Sequence, residues 1–113
     1  MKICFLFFIS LTCFTPAFTQ VGLADSLKKE LSKTVSEPTK LELQNGIGEA
    51  LYSYRPDSAF VIWKDVVVKA DELKSKFKAP ELDRVLRAKG NALNNIAIVY
   101  SDRGMLDIGL EYI

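Results

Sequence analysis

The chain has 113 residues, with 15 basic and 14 acidic side chains and a formal net charge of +1, so it forms one domain at most. Its charges include no basic block, which removes any electrostatic reason to expect a nucleic acid or an anionic membrane as a partner. The chain lacks histidine, and both cysteines, Cys4 and Cys13, lie near its beginning, so the usual metal ligands and general bases are missing from the remainder. We therefore expect no enzymatic activity, no metal and no cofactor.

The first 20 residues have the layout of a secretory signal peptide. Lys2 precedes an uncharged and largely apolar run over residues 3–14, and Pro16 and several small residues follow it. A transmembrane helix is the alternative, but it requires roughly 20 apolar residues and rarely continues through a proline. Lipidation of Cys13 is a weaker alternative, because the three preceding residues include no glycine or alanine. The sequence thus predicts residues 1–19 as a cleaved leader and the protein as exported, to the periplasm or the cell exterior.

Residues 20–40 are predicted to form a short amphipathic helix followed by a linker. Leu27 and Leu31 lie four residues apart among lysines and a glutamate, which indicates a helix with one apolar face, and Asp25 is suited to cap its start. Pro38 then ends it, because proline cannot continue a helix and disfavours helical geometry in the preceding residue.

Residues 41–113 are predicted to form a helical repeat domain, because apolar residues recur there at intervals of three and four. The first helix carries Ile47, Ala50, Leu51 and Tyr54. The second begins near Pro56 and carries Ala59, Trp63, Val66, Ala70, Leu73 and Phe77. The third carries Leu82, Val85, Leu86, Lys89, Leu93, Ile96, Ala97 and Tyr100, and the last carries Leu106, Gly109, Leu110 and Ile113. The sequence therefore predicts an all-α fold.

A strand is the alternative for residues 60–68, which are rich in valine and aromatic side chains that favour sheets. Lys64 and Asp65 interrupt the alternation that a strand needs, whereas the helical spacing continues to Phe77. Gly104 stands where a residue in the left-handed conformation is expected to end the third helix.

Two helical hairpins within this domain align with one another at a shift of 49 residues. In the first helix of each hairpin, the alignment places Asn45, Ile47, Gly48 and Leu51 on Asn94, Ile96, Ala97 and Tyr100. In the second helix the shift is 50 residues, and it places Ala59, Phe60 and Trp63 on Gly109, Leu110 and Ile113. Small residues at equivalent sites allow two antiparallel helices to approach closely, with large neighbours beside them.

This pattern resembles the tetratricopeptide repeat, whose first helix carries large apolar, small and aromatic residues in order and whose second helix follows a turn and opens on a small residue. The second hairpin carries the resemblance through Leu93, Ile96, Ala97, Tyr100, Gly104, Gly109 and Leu110, and the first through Ile47, Gly48, Leu51, Ala59 and Trp63. The 49-residue offset departs from the family's period of about 34. The resemblance implies a short α-solenoid of antiparallel hairpins, with about two repeats of which the second is incomplete.

In tetratricopeptide proteins, the first helices of the repeats line a concave surface that holds peptides or partner helices. Carried over by position, that surface comprises Asn45, Glu49, Tyr52, Asn91, Asn94, Asn95, Ile98 and Ser101. Asparagine amides can bond to a peptide backbone without preference for charge. The resemblance therefore implies a non-catalytic module that binds a protein or peptide, and the incomplete second repeat favours self-association through its open carboxy-terminal end.

The leader, the short first helix and the repeats also resemble the extracytoplasmic input regions of bacterial sensor histidine kinases and related regulators. The alternative function is thus the amino-terminal input fragment of a signalling enzyme that is tethered to the inner membrane. A free periplasmic scaffold and an unrelated secreted helical bundle are the remaining alternatives.

Overall fold

The computed structural model describes the backbone of residues 16–104 and the side chains of residues 21–104, and within this range it consists of four helices without a strand. We number them α1 (Pro16–Lys33), α2 (Glu37–Tyr52), α3 (Pro56–Leu73) and α4 (Glu81–Asp102). The predicted all-α class is confirmed, and the strand alternative for residues 60–68 is wrong because they lie within α3. Residues 1–15 of the predicted leader, and the predicted last helix with Gly109 and Leu110, lie outside the described residues.

The first helix begins earlier than the sequence predicts. It starts at Pro16 and runs through Asp25 without interruption, so the expected capping role of Asp25 is wrong. Proline is tolerated at the first helical position, because the N–H that it lacks would have no partner there. The predicted break is confirmed, since α1 ends at Lys33 and Pro38 lies in the first turn of α2.

The helices α2 and α3 pack antiparallel after a three-residue turn. Trp63 of α3 is only 3% exposed and lies against Gly48 of α2, in the interface that the helical spacing predicts for it. A Cβ atom added to Gly48 would lie 2.8 Å from Trp63 Cε2. Tyr52 flanks the indole, with 5.7 Å between the ring centroids. The absence of a side chain at Gly48 is therefore what allows the indole to lie on the backbone of α2.

The helix α4 packs against α3 in the opposite direction. Near the start of α4, Lys89 pairs with Asp71 at 2.6 Å, whereas near its end Tyr100 meets Phe60 edge to face with 5.5 Å between ring centroids. Higher residue numbers on α4 thus lie beside lower residue numbers on α3, so the two helices are antiparallel. Gly104 then ends α4 with a φ of 75°, which confirms the predicted left-handed residue.

The same helix α4 runs parallel to α2. Arg84 bonds to Glu42 near the start of both helices, and Tyr52 donates a hydrogen bond to Asp102 near the end of both. A hairpin followed by a third helix thus brings two helices of equal direction side by side. Side-chain hydrogen bonds connect this pair along its length, from Arg84 with Glu42, through Asn45 with Ala88, to Tyr52 with Asp102.

The core lies between the helices and is built mainly of small and medium-sized apolar side chains. Its buried apolar residues are Ala24, Leu41, Ile47, Ala50, Leu51, Ala59, Trp63, Val66, Ala70, Val85, Ala88, Ala92, Ile96, Ala97 and Val99. Tyr54 and Leu86, which the spacing places on apolar faces, are exposed instead. Phe77 lies beyond the end of α3 and packs half-buried against the core.

Candidate functional site: the groove between α2 and α4

A groove of about 390 Å³ runs between the parallel helices α2 and α4. We call it the α2–α4 groove, and it is lined by Glu42, Asn45, Gly46, Glu49, Arg84, Arg87, Ala88 and Asn91. Most of these side chains are polar or charged, and they converge from two helices whose relative position the core fixes. The groove thus presents hydrogen-bonding groups from two helices that one core holds together.

One end of the groove is closed by a charged cluster. Arg84 donates to both carboxylate oxygens of Glu42, at 2.8 and 3.0 Å, and also to the Thr39 hydroxyl at 2.9 Å. This hydrogen-bonded guanidinium holds the pKa of the Glu42 carboxyl below its usual range, and the carboxylate raises the pKa of Arg84 in turn. The cluster ties the start of α2 to the first turn of α4.

Asn45 forms the floor of the groove. Its side chain is 5% exposed, and its Nδ2 donates to the carbonyl oxygen of Ala88 at 2.9 Å, which fixes the orientation of the amide because a carbonyl can only accept. Trp63 Nε1 donates to the backbone oxygen of Asn45 at 3.4 Å. The Oδ1 atom is enclosed and has no hydrogen-bond donor within the described residues. Asn45 therefore links the groove to the only tryptophan of the chain.

The expectation that Asn45 lies on an exposed surface is wrong. Its position on the edge of α2 is covered by α4, where the small side chain of Ala88 lets the two helices approach. Its partner in the repeat alignment, Asn94, is exposed on α4. The alignment nevertheless pairs residues of like burial at Ile47 with Ile96. The helices α2 and α4 are thus alike in burial at Ile47 and Ile96 and different at Asn45 and Asn94.

Two charges of the groove have no ion pair within the described residues. Arg87 lies close enough to Glu42 to help lower the pKa of that carboxyl, but it forms no salt bridge. Glu49 accepts one long hydrogen bond of 3.4 Å from the Asn95 amide. Asn91, which is exposed, also lines the groove, one helical turn after Arg87 on α4. The open part of the groove thus offers a cation, an amide and an anion in succession.

The structure brings together three of the eight residues predicted for the concave surface. Asn45, Glu49 and Asn91 line the groove, whereas Asn95 lies at its upper end and Tyr52 bonds to Asp102 beyond it. The remaining three residues are exposed on α4 outside the lining and are Asn94, Ile98 and Ser101.

The sequence prediction missed five residues of the lining. These are Glu42, Gly46, Arg84, Arg87 and Ala88. Their spacing contained a usable signal, because positions three or four apart share a helix face, and Arg84, Arg87 and Asn91 follow one another at intervals of three and then four. What the spacing cannot show is which face of α4 lies beside α2.

Seven of the twelve residues predicted to pack the repeats are buried. Ile47, Gly48, Leu51, Ala59, Trp63, Ile96 and Ala97 are buried, Leu93 and Tyr100 are half-buried, and Gly104 lies in the turn after α4. The two remaining residues of the prediction, Gly109 and Leu110, lie outside the described range.

A second groove, of about 460 Å³, lies beside α1 and the start of α3. Its walls are mainly apolar and include Leu51, Val61 and Ile62, with Lys28 and Arg55 at the rim. Although it is larger, it contains no buried polar side chain, since Asn45 is the one such residue in the described part of the chain. The α2–α4 groove is therefore the better candidate for specific recognition.

No helix among the described residues combines the length and apolar character needed to cross a membrane. The same residues hold no group of three or more histidine, cysteine or acidic side chains placed to bind a metal ion. The sequence matches no protein-family model and no curated protein, and the fold matches no solved structure.

Proposed function

We propose that this chain is an exported, non-catalytic interaction module of the tetratricopeptide type, and that its α2–α4 groove holds an extended segment of a protein partner. The observation that carries the proposal is the groove itself, with its polar lining between two parallel helices. An extended peptide has backbone N–H and C=O groups that need partners, and amide and charged side chains supply them.

The arrangement of α2, α3 and α4 supports this proposal. In a solenoid of helical hairpins, the first helices of successive hairpins lie side by side in the same direction, and here α2 and α4 do so while α3 packs behind them. The close contact of Gly48 with Trp63 supplies the small-residue packing that such a hairpin needs. The burial of Asn45 ties the groove rigidly to the hairpin, so a ligand meets a surface that is already ordered.

A pair of matched variants tests the proposal. Asn91 lines the groove and Asn94 is exposed on the same helix outside it, so tryptophan at these two positions differs mainly in whether the groove is filled. Peptides selected from a random library against the wild-type protein should lose binding to Asn91→Trp by at least about tenfold and retain it for Asn94→Trp. A fluorescently labelled peptide and its anisotropy give the readout.

The outcome that contradicts the proposal is equally specific. If the selected peptides bind both variants as tightly as the wild type, they occupy another surface and the groove is not the site. Circular dichroism of each variant checks that the helices remain intact, so that loss of binding cannot come from unfolding.

A further inference from the structure

One dipeptide of α2, Asn45-Gly46, joins two residues that pack against different neighbours. Asn45 is 5% exposed, and its Nδ2 donates to the Ala88 carbonyl of α4 at 2.9 Å. Gly46 lies close to α1, where an added Cβ would lie 3.3 Å from Leu27 Cδ1. The contact with α4 thus favours the asparagine, and the contact with α1 favours the glycine. The sequence contains this pair nowhere else.

Asparagine followed by glycine is the pair at which an unfolded chain most readily attacks itself. The backbone nitrogen of Gly46 forms a bond to the Cγ atom of Asn45, and the bond from Cγ to Nδ2 breaks. The side-chain nitrogen leaves as ammonia and takes the proton of the attacking N–H. Water then opens the five-membered imide at either carbonyl, which gives aspartate or isoaspartate. Glycine assists because it has no side chain and reaches backbone conformations that other residues avoid.

The folded helix keeps the two reacting atoms apart. Gly46 lies inside α2, so its N–H donates to a backbone carbonyl one turn earlier. The helical ψ of about −42° holds the same nitrogen away from the side chain of residue 45. The bond to Ala88 meanwhile turns the Asn45 amide toward α4. Ring closure needs both groups to be released, so it needs α2 to open.

We propose that Asn45-Gly46 is a site of self-modification that the native packing keeps unreactive and that unfolding of α2 exposes. Both products lack the amide that donates to the Ala88 carbonyl, and aspartate places a carboxylate against that carbonyl oxygen. Isoaspartate also adds one carbon atom to the backbone in the interior of a helix. A chain that has reacted therefore cannot regain the native contact of α2 with α4, and unfolding becomes irreversible with time.

Mass spectrometry of the digested protein after incubation at mildly alkaline pH locates the reaction. In guanidinium chloride, the peptide that contains Asn45 should gain the mass that separates a hydroxyl from an amino group. It should do so well before the three asparagines of α4, none of which precedes a glycine. In the native protein the reaction should be at least about a hundredfold slower, because a domain of ordinary stability is unfolded less than about one part in a thousand of the time.

Alanine variants separate the chemistry from the fold. In denaturant, Gly46→Ala puts a methyl group on the residue that follows Asn45 and should slow the reaction at least about tenfold. Gly90→Ala is the matched control, because residue 90 precedes an asparagine instead of following one, and it should leave the rate at Asn45 unchanged. Neither rate depends on whether the variant folds. In native buffer, Gly48→Ala should change the rate by the factor by which it changes the unfolding equilibrium constant, because the site reacts only when α2 opens.

Refolding supplies the second readout. Wild-type protein that is held in denaturant for increasing times and then diluted should recover less native Trp63 fluorescence, in step with the fraction modified at Asn45. The recovery of Gly46→Ala should not decline over the same times.

Three outcomes would overturn the proposal. Equal rates in native and denatured wild type would show that the helix does not protect the site. Equal rates at all four asparagines in denaturant would show that Gly46 does not create it. Full recovery of native fluorescence by modified chains would show that the change is reversible in its effect. None of these measurements involves a ligand, so the proposed peptide-binding function is tested separately.

Discussion

The contact between Gly48 and Trp63 makes the substitution Gly48→Ala a quantitative test of how α2 and α3 pack. Alanine is favoured over glycine in a helix interior by about 1 kcal/mol, so the change would stabilise a helix without neighbours. Here the added Cβ would lie 2.8 Å from Trp63 Cε2, a distance that real Cβ atoms essentially never adopt, and 3.0 Å from Cδ1. Something in the interface must therefore move.

The indole has little freedom to make room. It is 3% exposed, it stands beside the Tyr52 ring and its Nε1 donates to the Asn45 backbone. Overpacking of a core costs about 1 to 3 kcal/mol, which exceeds the gain in helix propensity. We expect Gly48→Ala to lower the free energy of unfolding, by up to about 2 kcal/mol after the gain in helix propensity is subtracted.

Urea unfolding followed by Trp63 fluorescence and by far-ultraviolet circular dichroism measures this change. Gly90→Ala is the matched control, because Gly90 lies on the exposed face of α4 and a Cβ there has no neighbour within 4 Å. It should raise the free energy of unfolding by up to about 1 kcal/mol. If Gly48→Ala stabilises the protein as much as the control does, the close packing of Trp63 on α2 is refuted.

Three further predictions concern hydrogen bonds and processing. Tyr52→Phe removes the hydroxyl that donates to Asp102, a bond that raises the pKa of Tyr52 because it requires the protonated phenol. The wild type should therefore lose about 0.5 kcal/mol of stability as the pH rises above 10, and the variant should not, in urea titrations at pH 9 and pH 11. Asn45→Asp replaces the donor to the Ala88 carbonyl by a buried carboxylate and should cost about 3 kcal/mol at pH 7, a loss that shrinks toward pH 4 as the carboxyl is protonated; an equal loss at both values would contradict the assigned hydrogen bond. The exported protein should have the intact mass of a chain that begins at or near Gln20. Retention of residues 1–14 in the exported protein would contradict the predicted leader.

The elements of the fold were accessible from the sequence because their signals are local. Apolar residues at intervals of three and four indicate helices, and prolines stand near the starts of all four of them. The start of α1 was misplaced because Asp25, which precedes the apolar face of Leu27 and Leu31, was taken as the cap, whereas the helix runs through it. Pro16 instead occupies the first position of that helix, where proline is tolerated.

The groove was only partly accessible because it depends on contacts between distant residues. Whether Asn45 is exposed or buried is decided by where α4 crosses α2, 43 residues later in the chain. The roles of Arg84 and Arg87 depend on the same crossing, since on an isolated helix both would be ordinary solvated charges. Gly48, by contrast, could be assigned a packing role in advance, because it and Ala97 hold equivalent small-residue sites in the aligned helices.

A nuclear magnetic resonance titration of the isotope-labelled protein with a library-selected peptide tests the central claim most directly. We expect the largest shifts at the amides of Gly46, Glu49, Arg87 and Asn91, together with a shift of the Trp63 indole N–H through its bond to Asn45. The chemical shifts of amides beside the second groove, which lies between α1 and the start of α3, should stay unchanged; Lys28 and Val61 are examples. Shifts that concentrate at Lys28 and Val61, with Asn91 and the indole unmoved, would contradict the account.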